Sequence, residues 1–250
     1  MEKVSEQTTQ QTNTRTGYFT LLFAIVIGSF SSILIRFAQG EGVSSLTIAA
    51  LRLTLAALIL TPLVLRQYGD QLRALSRRQI MWSSAAGFWL AMHFVNFISA
   101  LEHTTVLITM VLVTTSTLWV AGLEMIFLKS RPKRLVWLGM FSAIVGGIVI
   151  ALSGNLSAGV GDNPLLGIGL SVAGAASVAV YLFIGRQVQS ELSLVPYIWL
   201  VYSAGAISAL VVAVIGGAPF TGYEPAGYFW VAMVTIFPQL LGHSSINLAL

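Results

Sequence analysis

The chain has 250 residues and a mass of 26.8 kDa; 56% of its residues are hydrophobic and 9% are charged, with a mean hydropathy of +0.84. A soluble domain carries about 25% charged residues, so this composition cannot cover a water-facing surface and excludes an ordinary cytosolic enzyme, a disordered chain and a nucleic-acid binder. The formal charge is only +4, and with no cysteine there is no disulfide, thiolate metal site or cysteine nucleophile.

The first 17 residues are polar, with Thr8, Thr9, Gln10, Gln11, Thr12, Asn13 and Thr14, and residues 1–17 are expected to be a disordered cytoplasmic tail. They are not a signal peptide, because the first apolar run is of full spanning length. A helix crossing the hydrocarbon core needs about 20 apolar residues. Eight such runs follow, at about 18–38, 45–65, 79–101, 104–128, 134–153, 164–185, 195–216 and 227–249. The loops between them are short and rich in helix breakers. The expected fold class is therefore all-α, a polytopic transmembrane bundle. Strict alternation over short segments, the mark of a β-barrel, is missing.

Basic residues set the orientation. Arg66, Arg73, Arg77 and Arg78 follow span 2, and Lys129, Arg131, Lys133 and Arg134 follow span 4. The loops on the other side carry Glu41, Glu102, Asp162 and Glu224 and neither lysine nor arginine. The amino terminus is expected in the cytoplasm of a multi-pass cell-membrane protein.

At an offset of 150 residues, Ile33-Leu34-Ile35-Arg36 aligns with Phe183-Ile184-Gly185-Arg186, and His93 aligns with His243. Five spans separate the copies, so the second copy enters the membrane from the opposite face. Inverted repeats of this kind are typical of secondary transporters, whose substrate site lies between the halves.

Intramembrane polar groups are expensive and are candidates for function. Arg52 lies eight residues into span 2, about 12 Å deep at 1.5 Å per residue. His93 and Asn96 share a face of span 3, and Gln239 and His243 share a face of span 8. Together with Thr115, from the Thr114-Thr115-Ser116-Thr117 run that either bonds its own backbone or lines a cavity, these are the substrate-cavity candidates. Glu124 is read as a proton-coupling carboxylate or as an ion pair with Lys129 or Arg131 across a turn. Arg36 and Arg186, near span ends, are read as structural or anchoring residues that snorkel to head groups. Tyr181 and Tyr202 fit an interfacial belt or a ligand contact equally, and Pro238 is expected to kink span 8.

No motif for phosphate binding or metallohydrolysis is present. Gly159-Val160-Gly161-Asp162 spells part of an intramembrane aspartyl protease signature, but it sits in a loop, and the other aspartate, Asp70, is on the opposite side. Neither an enzyme, a cofactor nor a metal is expected.

In their order, these residues resemble the drug/metabolite transporter superfamily, specifically its EamA-type members. Gly28 precedes Arg36 in helix one, although the family's tryptophan is absent. Arg52 stands early in helix two, Ala100-Leu101 precedes Thr104-Thr105 after helix three, and Gly242-His243 with Asn247-Leu248-Ala249-Leu250 closes helix eight. Where members often carry a helix-four proline, this chain has Thr114 to Thr117. The resemblance implies five-helix halves, at 18–153 (spans 1–5) and 164–250 (spans 6–8), the second incomplete because the family's plan is ten helices. It implies a secondary transporter of a small polar metabolite or drug, with export the expected direction. The implied partners are a small-molecule substrate and the lipid bilayer, with a homodimer also compatible and nucleic acid not involved. The alternative is a truncated, non-transporting membrane fragment that needs the missing helices or a partner.

Overall fold

The structure is a computed structural model that describes residues 22–23, 25–153, 161–189 and 191–249. The expected tail over 1–17, the start of span 1 and the Gly159-Val160 part of the loop motif lie outside the described residues. Among the described residues each of the apolar runs contains helix, and no strand occurs.

The elements are α1 (Ile25–Gly40), α2 (Ser45–Gln67), a short α3 (Gly69–Arg73), α4 (Arg77–His103), α5 (Val106–Thr114), α6 (Ser116–Phe127), α7 (Arg134–Ser153), α8 (Pro164–Val188), α9 (Leu194–Ile215), α10 (Pro225–Val234), a π-helical stretch (Thr235–His243) and α11 (Ser244–Ala249). Among the described residues, five segments are long and apolar enough to cross a membrane: α2, α4, α5–α6 together, α8 and α9. They correspond to spans 2, 3, 4, 6 and 7. The apolar stretches Ile25–Gly40 of span 1 and Arg134–Gly146 of span 5 are shorter, and span 8 is divided into three pieces.

Local chemistry sets the boundaries. The Ser76 hydroxyl caps α4 by accepting from the Gln79 amide, and the Gln79 side chain accepts from the Ser76 amide in return. Asn163 caps α8 at the Leu166 amide, with Pro164 in the first helical position, where its missing N–H is no loss. Ser44 and Thr105 cap α2 and α5 in the same way.

Two helices depart from simple spans. The threonine run interrupts span 4 at Thr115, where the Thr114, Thr115 and Thr117 hydroxyls donate to the carbonyls of Val111, Leu112 and Thr114. The bonds therefore reach three residues back rather than the expected four, tightening the backbone at the break. In span 8, Pro238 does more than kink the helix. Over Thr235–His243 the turn widens to π geometry around the residue that cannot donate an amide proton.

The centre is a four-helix core of α2, α4, α8 and α9. The largest interface joins α4 to α8, and α9 packs on both α2 and α4; α1 pairs with α10 on one flank, and α5 and α6 lie on the outside of α8. Only 11% of the most apolar stretch of span 4 is buried, against 56% for α4. Small residues allow the close approaches. A methyl group at Gly87 would collide with the Val201 carbonyl oxygen, and one at Gly205 would stand 3.0 Å from the Gly87 carbonyl oxygen. Small residues of spans 6 and 7 pack on α4: Gly174 lies against the backbone of His93 and Phe97, and Gly205 lies against Gly87. Outward-facing Leu58, Ile126, Leu135 and Ile215 leave an apolar surface suited to lipid.

Candidate functional site

Arg52 is wholly buried where α2 meets α4 and the π-helical stretch. Its Nε donates to Gln239 Oε1 at 3.1 Å, and its guanidinium carbon stands 3.8 Å from the centre of the Phe94 ring. The ring face offers a cation–π contact. Arg52 Nη1 and Nη2, Gln239 Nε2 and His243 Nδ1 are buried with no hydrogen-bond partner among the described residues. His93 Nδ1 lies 2.9 Å from the Gly174 carbonyl oxygen. Because a carbonyl only accepts, His93 carries its proton on Nδ1 there. The His93 and His243 rings are 6.4 Å apart, and Phe94 meets His243 edge to face at 5.1 Å. Four of the six cavity candidates, Arg52, His93, Gln239 and His243, thus converge.

The other two stay apart. The Asn96 amide donates to the Met92 carbonyl of its own helix at 2.7 Å, and the Thr115 hydroxyl donates to Leu112 at 2.6 Å. Both are satisfied locally.

A second polar layer adjoins the cluster. The Tyr202 hydroxyl lies 3.2 Å from both the Gln239 carbonyl oxygen, to which it donates, and Ser244 Oγ. Tyr181 donates to Asn247 Oδ1 at 2.6 Å, and Asn247 Nδ2 donates to the His243 carbonyl. Both tyrosines are interior, 1% and 0% exposed, which removes the belt reading. Sequence reasoning did not single out Phe94 or Asn247 as site residues; the Asn247 position four after His243, on one helical face, was the available signal.

The charged residues near span ends are paired rather than snorkelling. Glu124 pairs with Arg186 of α8, not with Lys129 or Arg131. Residue 129 has φ +51° and turns the chain out of α6, so the nearby bases leave the face that Glu124 occupies. Arg36 donates to the Thr104 carbonyl at 3.0 Å. At the same acidic-loop end, Glu102 Oε1 accepts from the Ser45 hydroxyl at 2.5 Å and from its amide at 3.2 Å. Gln39 donates to Ser45 Oγ and the Ile98 carbonyl. Asp162 lies 2.8 Å from His103 Nδ1, whose hydrogen bond holds the carboxyl below its usual value of 3.8.

A cavity of about 610 Å³ lies between α4, α6 and α8 at the basic-loop end. Its walls include Trp82, Trp89, Leu123 and Phe183, and its rim includes Arg78 and Glu191. That volume is in the range of small-molecule sites. A cleft of about 400 Å³ at the opposite end is bordered by Arg36, Gln39, Ser44 and Glu102.

No curated protein matches the chain. A family model described as the EamA-like transporter family matches residues 15–152, more than half of the sequence. It covers α1 to α7 almost completely and contains Arg52 and His93. Transporter families of this type are membrane-embedded and imply a small-molecule substrate. This multi-pass membrane chain belongs to the EamA-like transporter family, within the drug/metabolite transporter superfamily.

Proposed function

We propose that the chain is a secondary transporter that exports a small polar metabolite or drug by alternating access, with its amino terminus and basic loops in the cytoplasm. The observation that carries this reading is the 610 Å³ cavity between α4, α6 and α8. It is walled by helices from both proposed halves, 18–153 and 164–250, and lies at the end where the basic loops gather. Aromatic and apolar walls with a few polar rim groups suit an amphipathic solute.

The packing supports two inverted halves. Exchanging spans 1, 2 and 3 with spans 6, 7 and 8 turns the α4–α8 interface into the α1–α10 interface and the α2–α9 interface into itself, and all three interfaces are present. Rocking of one half against the other around a fixed site is how such repeats alternate access. Arg52, His93, Gln239 and His243 are the interior polar group on which the halves converge, and Glu124 serves as an ion-pair partner across them rather than as a proton carrier.

The test is solute flux in proteoliposomes containing the full chain, with Leu123→Cys as the added control. Equilibration of at least one member of a labelled panel of amines, carboxylates and neutral metabolites should exceed that in protein-free liposomes about tenfold. Alkylating Cys at position 123 should stop it. Flux equal to that of protein-free liposomes across the panel, or flux indifferent to the modified cavity wall, contradicts the reading.

A further inference from the structure

We propose that Arg52 and Gln239 form an anion site inside the bundle that takes a small monovalent anion, either the carboxylate of an organic solute or chloride. The carboxylate form deepens the transporter reading above and rests on it; the chloride form does not.

The inference comes from the kinds of atom left without partners. A guanidinium has five N–H donors and no acceptor. Arg52 spends its Nε–H on Gln239 Oε1, and this fixes the amide so that its NH₂ points away from the arginine. What remains buried without a partner is Arg52 Nη1, Arg52 Nη2 and Gln239 Nε2, and every one of these is a donor. His243 Nδ1 is buried and unpartnered nearby, and a neutral imidazole nitrogen can take either role. Tyr202 does not relieve the excess of donors: its hydroxyl meets the Gln239 carbonyl and Ser244 Oγ, and no hydrogen bond joins it to Arg52 or to Gln239 Nε2.

Charge makes the same demand. Arg52 is a buried cation, and no carboxylate among the described residues reaches it. Two acids at helix ends are already occupied, Glu124 with Arg186 and Glu102 with Ser45. A neutral hydroxyl would supply lone pairs but no charge, and a cation would be repelled. An anion answers both needs, since carboxylates bind guanidinium edges through parallel N–H···O bonds. Phe94 covers one face of the guanidinium and leaves the in-plane edge, where the Nη hydrogens point, for the ligand. The complete burial of Arg52 and Gln239 restricts that ligand to a compact group.

The experiment is ³⁵Cl line broadening by the purified full chain, with acetate and benzoate as competitors. Wild type should give saturable broadening. Arg52→Gln should weaken it at least tenfold. Because Arg52→Gln is at risk of not folding, Gln239→Glu is the second variant: it places a carboxylate beside the guanidinium, supplies acceptor and charge from within, and should melt above wild type in anion-poor buffer while losing the broadening. Displacement by acetate or benzoate identifies a carboxylate site; saturable broadening that neither displaces identifies chloride. Broadening equal in wild type and Gln239→Glu, or no saturable broadening in wild type and no thermal protection by acetate, overturns the site. Anion binding without solute flux would refute the transporter reading alone. Flux that is unchanged in Gln239→Glu, with no broadening in wild type, would refute the anion site alone.

Discussion

The two ends of this bundle are built differently. At the acidic-loop end, polar side chains tie neighbouring elements together: Glu102 holds Ser45, Gln39 reaches Ile98, Arg36 reaches Thr104, and His103 meets Asp162. The loops there are also stitched, since Thr47 donates to the Pro219 carbonyl at 2.8 Å and Tyr223 donates to the same carbonyl at 2.7 Å. At the basic-loop end, α4, α6 and α8 part around a cavity, and α6 and α8 are joined there by the ion pair of Arg186 with Glu124 and by the Phe127 ring packed 5.6 Å from the Phe183 ring. A transporter that alternates access needs one end closed while the other is open, and a bundle with this asymmetry is suited to that task. Hydrogen bonds tie the acidic-loop end together around its smaller cleft, whereas the α6–α8 seam at the other end combines one ring contact with an ion pair whose arginine is 60% exposed and which salt and water weaken.

The comparison breaks most sharply at the packing between the two ends, the α4–α9 contact. Gly87→Ala puts a methyl group against the Val201 carbonyl oxygen, with the Ala204 Cβ and Gly205 amide nitrogen 2.9 Å away. Backbone cannot yield as a flexible side chain does, so a loss of about 2–3 kcal/mol is expected. Monodisperse protein recovered from detergent should fall steeply, as size-exclusion chromatography with a fluorescent fusion would measure. Recovery equal to wild type would mean that the two helices are not in this contact.

A pair of carboxylates separates the ends next. Glu102→Ala leaves the buried Ser45 amide without its acceptor, while the Ser45 hydroxyl keeps the Ile98 carbonyl at 3.1 Å, and should cost about 1–2 kcal/mol. Glu124→Ala removes an exposed ion pair and should cost less than about 1 kcal/mol. Thermal unfolding of both variants in one detergent gives the ranking. A larger loss at Glu124 would reverse the assignment of closed and open ends.

The smallest effect is a pH dependence at the closed end. The hydrogen bond from His103 depresses the Asp162 carboxyl, so its contribution to the folded state is present above the usual value of 3.8 and is lost as pH falls through the lower folded value. The difference in melting temperature between wild type and Asp162→Asn should shrink as pH falls below about pH 4. Because Asp162 is largely exposed, the difference will be slight. A difference that grows as pH falls would contradict the pairing.

The helices were legible because hydrocarbon length and capping chemistry are written locally. The apolar run from Leu165 and the Asn163-Pro164 start mark α8 without reference to any neighbour, and Arg52, Gln239 and His243 stand out because so few polar residues interrupt their spans. What could not be read was pairing across the fold. Glu124 has Lys129 five residues away in sequence, yet it meets Arg186, which only the packing of α6 on α8 brings near. Trp82, Trp89 and Phe183 look in sequence like any lipid-facing aromatic, and they become cavity walls only because α4 and α8 turn them toward the same space. Tyr181 and Tyr202 were ambiguous for the same reason. The extent of the π-helical stretch was also hidden, since Pro238 announces a disturbed turn but not that the widening runs to His243.

The central claim is that the cavity at Leu123 opens to the basic-loop side, and that this side is the cytoplasm. Since the chain has no native cysteine, Leu123→Cys can be challenged with a membrane-impermeant thiol reagent, applied first to intact cells and then to inverted vesicles. The account predicts labelling in inverted vesicles and none in intact cells, with Glu224→Cys labelled in intact cells as the marker of the opposite side. Labelling of Leu123→Cys from outside intact cells, or equal protection from both sides in a folded protein, would contradict it.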